Sequence, residues 1–138
     1  MTDFKLVLST PDGKSYQKEL KSPQADTILQ RKIGDILNGD SLGFAGYEFQ
    51  VTGGSDKAGF PMRKGIVTPR KKIFTGKGVG FSGKNRLGEK QPGLGVRKTV
   101  CGEMITPQIF QVNLKVLKEG AEKLAPVVEN VPAETAKA

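Results

Sequence analysis

A chain of 138 residues with a net charge of +8 and no histidine is sized for one domain around a single modest core. The missing imidazoles and the lone cysteine, Cys101, exclude intramolecular disulfides, Cys/His zinc sites and His-based catalytic triads. No run of about 18 apolar residues is present to span a membrane. The opening MTDFKLVLST is too short and too alternating for a signal peptide, so the cytoplasm is the expected compartment.

Along the chain, Asp3 to Thr10 alternates with Phe4, Leu6 and Leu8 on one face, a half-buried strand. Pro11-Asp12-Gly13 is a turn signal, and Ser15 to Leu20 is expected to return as the second arm of a hairpin. Ile28, Leu29, Ile33, Ile36 and Leu37 follow the helical period, which predicts an amphipathic helix from about Gln24 to Leu37, stopped by Asn38-Gly39. Gly34 inside it argues against, since an interior glycine costs about 1 kcal/mol relative to alanine. Tyr47, Phe49 and Val51 predict a strand running into Gly53-Gly54, with shorter strands at Gly65 to Val67, Lys71 to Phe74 and Lys98 to Cys101. Between them, residues 75 to 97 are rich in glycine and lysine with little periodicity and read as an extended basic loop. Ile109 to Leu117 is the strongest strand, with Phe110, Val112, Leu114 and Val116 expected on one face. The expected architecture is mainly β: a small, partly open β-barrel over residues 1–118, with one accessory α-helix and the long basic loop. Residues 119–138 read as a mobile acidic C-terminal tail.

The charge is segregated. From Lys57 to Val100 there are twelve Lys or Arg and one acid, Glu89; everything else holds ten cations and thirteen acids. A basic segment of this kind points to a polyanion as partner. Lys57, Arg63, Lys64, Arg70, Lys71, Lys72, Lys77, Lys84, Arg86, Lys90, Arg97 and Lys98 are therefore the candidate phosphate ligands. RNA fits better than a membrane, because surface-binding basic segments usually need a helix with a broad apolar face. Like charges and few apolar side chains imply that the segment does not fold on itself and orders only on a polyanion. Phe81, set between cations, suits either stacking on an exposed base or plugging a small core.

Residues 78 to 83, GVGFSG, satisfy G-x-G-x-x-G. A dinucleotide site would need a helix to begin there. The following KNRLGEKQPGLG forbids one, and Glu103 is the only acid near the distance of a ribose ligand. Cys101 has no imidazole to activate it and reads as a small buried side chain. Asp35, Asp40, Glu48 and Asp56 are the acids that a Mg²⁺-dependent nuclease would use, but their spacings match no metal motif. No metal, cofactor or small-molecule substrate is expected.

The stretch VTGGSDKAGFPMRKG resembles, almost residue for residue, the signature of the archaeal and eukaryotic small-subunit ribosomal protein S6e family. Supporting matches are the preceding GYEF strand, Gly65-Ile66-Val67, a GKGVGF loop, RKTVCG, and a terminal strand ending NLKVLKEG, so that the similarity covers roughly residues 4 to 120. The resemblance implies a non-catalytic, rRNA-binding β-barrel component of the small ribosomal subunit, with small-subunit rRNA and neighbouring ribosomal proteins as partners. Eukaryotic members continue into a long basic helix bearing phosphoserines; with a short acidic tail in its place, the chain resembles the archaeal members, and that regulation is not expected of it. It also departs from the family over Glu89 to Gly95, where members carry a denser basic run.

Within the signature, Gly53 and Gly54 are expected to end a buried strand in a sharp turn. Asp56 would hold that turn through backbone amides, Gly59, Phe60 and Pro61 would complete it, and Phe60-Pro61-Met62 would form a hydrophobic peg. The alternative to a ribosomal scaffold is a free-standing RNA-binding translation accessory protein.

Overall fold

Alternation in the first ten residues does what it predicts. Phe4, Leu6 and Leu8 are buried in β1 (Phe4–Ser9), which pairs antiparallel with β2 (Ser15–Leu20). The computed structural model describes residues 2–124. Its remaining strands are β3 (Ile36–Asn38), β4 (Glu48–Asp56), β5 (Arg70–Thr75), β6 (Val96–Cys101) and β7 (Ile109–Lys118). Five form one sheet in the order β2-β1-β7-β4-β3; β5 and β6 form a separate two-stranded ribbon. The last strand is thus the central one, parallel to β1 and antiparallel to β4.

The core lies on one face of the large sheet. Leu6, Leu8, Phe49, Val51, Val112 and Leu114 come from its three inner strands, and Ile28, Leu42 and Ile105 come from connecting segments packed over them. Register shifts bend β4 against β7: Thr52 is extra between Val51 and Gly53, and Phe110 is extra between Ile109 and Gln111. Such bulges reverse the side-chain alternation locally. Ile109 rather than Phe110 is therefore buried, and Phe110 is 40% exposed on the outer face, a correction to the expected inward stripe.

Three further expectations are corrected. No α-helix forms over Gln24 to Leu37; among the described residues the only helical turns are short 3-10 pieces, Gln24–Thr27 and Gly39–Leu42. The backbone of this segment bonds across the fold instead of along itself: Gln30 N–H to Ile105, Ile33 N–H to Glu103 and Gly34 N–H to Val51. Its apolar residues do reach the core, but along an irregular path that also supplies β3. No strand forms at Gly65 to Val67, where Lys64 and Gly65 make a turn and the Ile66 carbonyl accepts from Glu103 N–H. And the strands do not close into a barrel. The large sheet is open at β2 and β3, and the ribbon is joined to it by the Arg70–Asp56 pair and through the intervening Pro61-Met62 segment, which bridges Ser55 on one side and Cys101 on the other.

Most of the expected acidic tail, residues 125–138, lies outside the described residues. Before it, Tyr47 Oη donates to the Glu122 carbonyl, and Leu124 packs against the core.

Candidate nucleic-acid interface

The ribbon and its loop carry the basic segment, and the signature stretch attaches them to the body. Gly53 and Gly54 do not turn the chain; β4 runs through both to Asp56. Gly53 has open space around it, but a Cβ at Gly54 would lie 2.3 Å from the Gln111 carbonyl oxygen and 3.0 Å from Met62 Sδ. Glycine is needed there because β7 and the signature's own return approach too closely for a side chain.

The turn comes afterwards. Asp56 N–H donates to the Phe60 carbonyl (3.1 Å), the Asp56 carboxylate accepts from Phe60 N–H (2.8 Å), and Gly59 sits at φ +89°. The chain then threads between the two sheets: Met62 N–H donates to Gly54, Cys101 N–H to Pro61 and Arg63 N–H to Cys101. Met62 is buried and Phe60 packs against the core. The turn thus lies at Asp56 to Phe60, two residues beyond the glycine pair where it was expected, while Phe60 and Met62 pack inward at the positions expected of the peg.

Two of the twelve candidate phosphate ligands are held by the fold. Arg70 pairs with the buried Asp56 carboxylate and stacks 4.9 Å from the Phe60 ring centroid. Burial acts to raise the Asp56 carboxyl, but the Phe60 amide and the Arg70 guanidinium outweigh it and hold the group below its ordinary value. The same bond raises Arg70. Arg63, half-buried, donates to Thr75 Oγ1 (2.7 Å) and the Val79 carbonyl (3.3 Å). Next to this group, burial and then Asp56 push the Cys101 thiol up to about 11, and it donates to the Phe60 carbonyl.

The other ten, Lys57, Lys64, Lys71, Lys72, Lys77, Lys84, Arg86, Lys90, Arg97 and Lys98, are exposed, and none pairs with a carboxylate among the described residues. Strand register sorts four of them. Phe74 lies opposite Arg97 and shares a ribbon face with Lys72, while Lys71 and Lys98 share the other with Val100 and Ile73.

Residues 76–95 contain hydrogen-bonded turns, contrary to the expectation that they make no structure of their own. Gly78 and Phe81 exchange backbone bonds, the Asn85 side chain caps the Arg86–Glu89 turn, and Lys84 bridges to Lys90. Paired backbone groups and local glycines fold the loop despite its charge. Phe81 is half-buried; Phe74, which sequence reasoning did not single out, is 74% exposed. Its signal was the spacing Lys72-Ile-Phe74, which puts a cation and an aromatic on one strand face.

The acids are dispersed. Asp35 accepts from Lys32 N–H, Asp40 from Gly46 N–H, Glu48 pairs with Lys118, and Glu103 pairs with Lys32 while accepting from Gly65 N–H. Among the described residues no group of three or more His, Cys, Asp or Glu converges as a metal site.

Fold and charge together define a small open-sheet β protein that projects a cationic two-stranded ribbon. The model of the family described as ribosomal protein S6e matches residues 4–129, and the chain belongs to that family. Similar proteins, each named small ribosomal subunit protein eS6, come from archaea. That of Methanoculleus marisnigri is 41% identical over 127 residues, spanning 91% of this chain and 92% of its own. That of Methanosphaera stadtmanae is 41% identical over 125 residues, 90% and 91%. That of Archaeoglobus fulgidus is 36% identical over 121 residues, 86% and 89%.

Proposed function

We propose that this chain is a structural, non-catalytic constituent of the small ribosomal subunit that binds small-subunit rRNA through the ribbon and its loop, in the cytoplasm. The observation that carries the reading is the set of ten exposed cations between Lys57 and Lys98, none of which pairs with a carboxylate among the described residues. Such a surface is unfavourable alone and gains by releasing counterions from a phosphate backbone. The relatives' names, small ribosomal subunit protein eS6, support small-subunit rRNA as that polyanion. The body acts as the rigid mount, since Arg63 and Arg70 are used to fix the root of the ribbon and leave the outer cations to the RNA.

The test is the salt dependence of binding to a small-subunit rRNA fragment. If about six cations meet phosphate, log K against log salt falls with a slope near −4 on single-stranded RNA. A slope close to zero rejects the electrostatic mechanism. Sedimentation with small subunits through high salt separates a built-in component from an accessory factor, which would be released.

A further inference from the structure

We propose that Phe74 is a stacking platform for one unpaired RNA base, received in the cleft between the ribbon and its loop. This rests on the RNA-binding reading above and adds to it a specific seat for a nucleobase. A phenylalanine 74% exposed on a strand contributes little to the core, and leaving so large an apolar ring in water is unfavourable. Nor is the ring loosely placed. A Cβ at Gly95 would lie 2.4 Å from Phe74 Cζ and 2.7 Å from Cε1, so the ring tip rests on the Gly95 backbone and is propped from one side.

Beside it opens a cleft of about 440 Å³, lined by Phe74, Lys77, Lys90, Pro92 and Leu94. That volume is in the range of small-ligand sites. Its walls join apolar surface to two ammonium groups and contain no carboxylate. Arg97 lies directly across the ribbon from Phe74, and Lys72 shares its face. A flat apolar seat ringed by cations fits a flat ring carried on an anionic chain, which is a nucleotide. Gln91 is the one neutral amide side chain in the lining, and the rest of the wall is apolar, glycine or lysine, so stacking without strong sequence preference is the expected mode.

The chain has no tryptophan, so Phe74→Trp places a single reporter at the site. The full chain is titrated with a uridine decamer, an adenosine decamer and an abasic decamer of equal charge. The two base-bearing oligomers should quench the reporter at saturation and the abasic one should not. Phe74→Ala should weaken base-bearing binding about 5- to 100-fold and leave abasic binding and the salt slope unchanged. Phe74→Leu, which keeps the apolar surface, should behave like Phe74→Ala. Equal losses for abasic and base-bearing oligomers, or no quenching at saturation, overturn the base seat while sparing the electrostatic reading. Failure of all three oligomers and of rRNA to bind overturns both. Loss of small-subunit association in Phe74→Ala with unchanged oligomer affinity would assign the ring to a protein neighbour instead.

Discussion

At Asp56 a carboxylate 4% exposed sits between the Phe60 amide and the Arg70 guanidinium, beneath the root of the ribbon. Removing it strands a buried amide donor, so Asp56→Ala should cost about 1–3 kcal/mol in urea unfolding at neutral pH. Its folded pKa is depressed, so this stabilisation is complete above the ordinary carboxylate range and is lost as pH falls through the lower folded value. Wild type and Asp56→Ala should therefore converge in stability under acid; a gap that widened there would refute the assignment. Sequence reading found the carboxylate and its amide but counted Arg70 as a phosphate ligand. Nothing local betrays a salt bridge spanning fourteen residues, for it depends on β5 starting beside the end of β4.

At the scale of elements, strands declared themselves where alternation met a one-sided core, as in β1, β2, β4 and β7. The segment from Gln24 to Leu37 misled because its apolar spacing suits a helix, while its hydrogen-bond partners, Val51, Glu103 and Ile105, lie far away in sequence. Tertiary pairing overrode a periodic pattern. Gly34 decides between the two pictures. In a helix interior Gly34→Ala would stabilise by about 1 kcal/mol; at the observed φ of +99° it should instead destabilise by at least that much, read as a lower denaturant midpoint. The bulges were equally hidden, since one added residue leaves composition untouched and yet moves Phe110 to the outer face. The exposure of Phe74 was illegible for a related reason: a strand residue is buried or bare according to whether a layer covers it, and the body covers that face at Cys101 but leaves Phe74 74% exposed.

For the whole molecule, the segregation of charge was plain from the sequence, and so was the division between a faintly acidic body and a basic projection. Closure was not, because a barrel and an open sheet use the same strands and differ only in whether the edges meet. The body holds nearly all the core, while β5 is largely exposed and β6 is buried only at its inner end, Val100 and Cys101. Amide exchange should accordingly be slowest in β1, β4 and β7 and much faster in residues 72–98 of the free protein, by several orders of magnitude; uniform protection would mean that ribbon and body unfold together. The sheet order has one more consequence, which concerns synthesis. Its middle strand is the last to be made, and until residues 109–118 emerge the two hairpins of the nascent chain have nothing between them. Phe4, Leu6, Leu8, Phe49 and Val51 then lack the central strand they pack beside, so the window for misassociation stays open until β7 has been made.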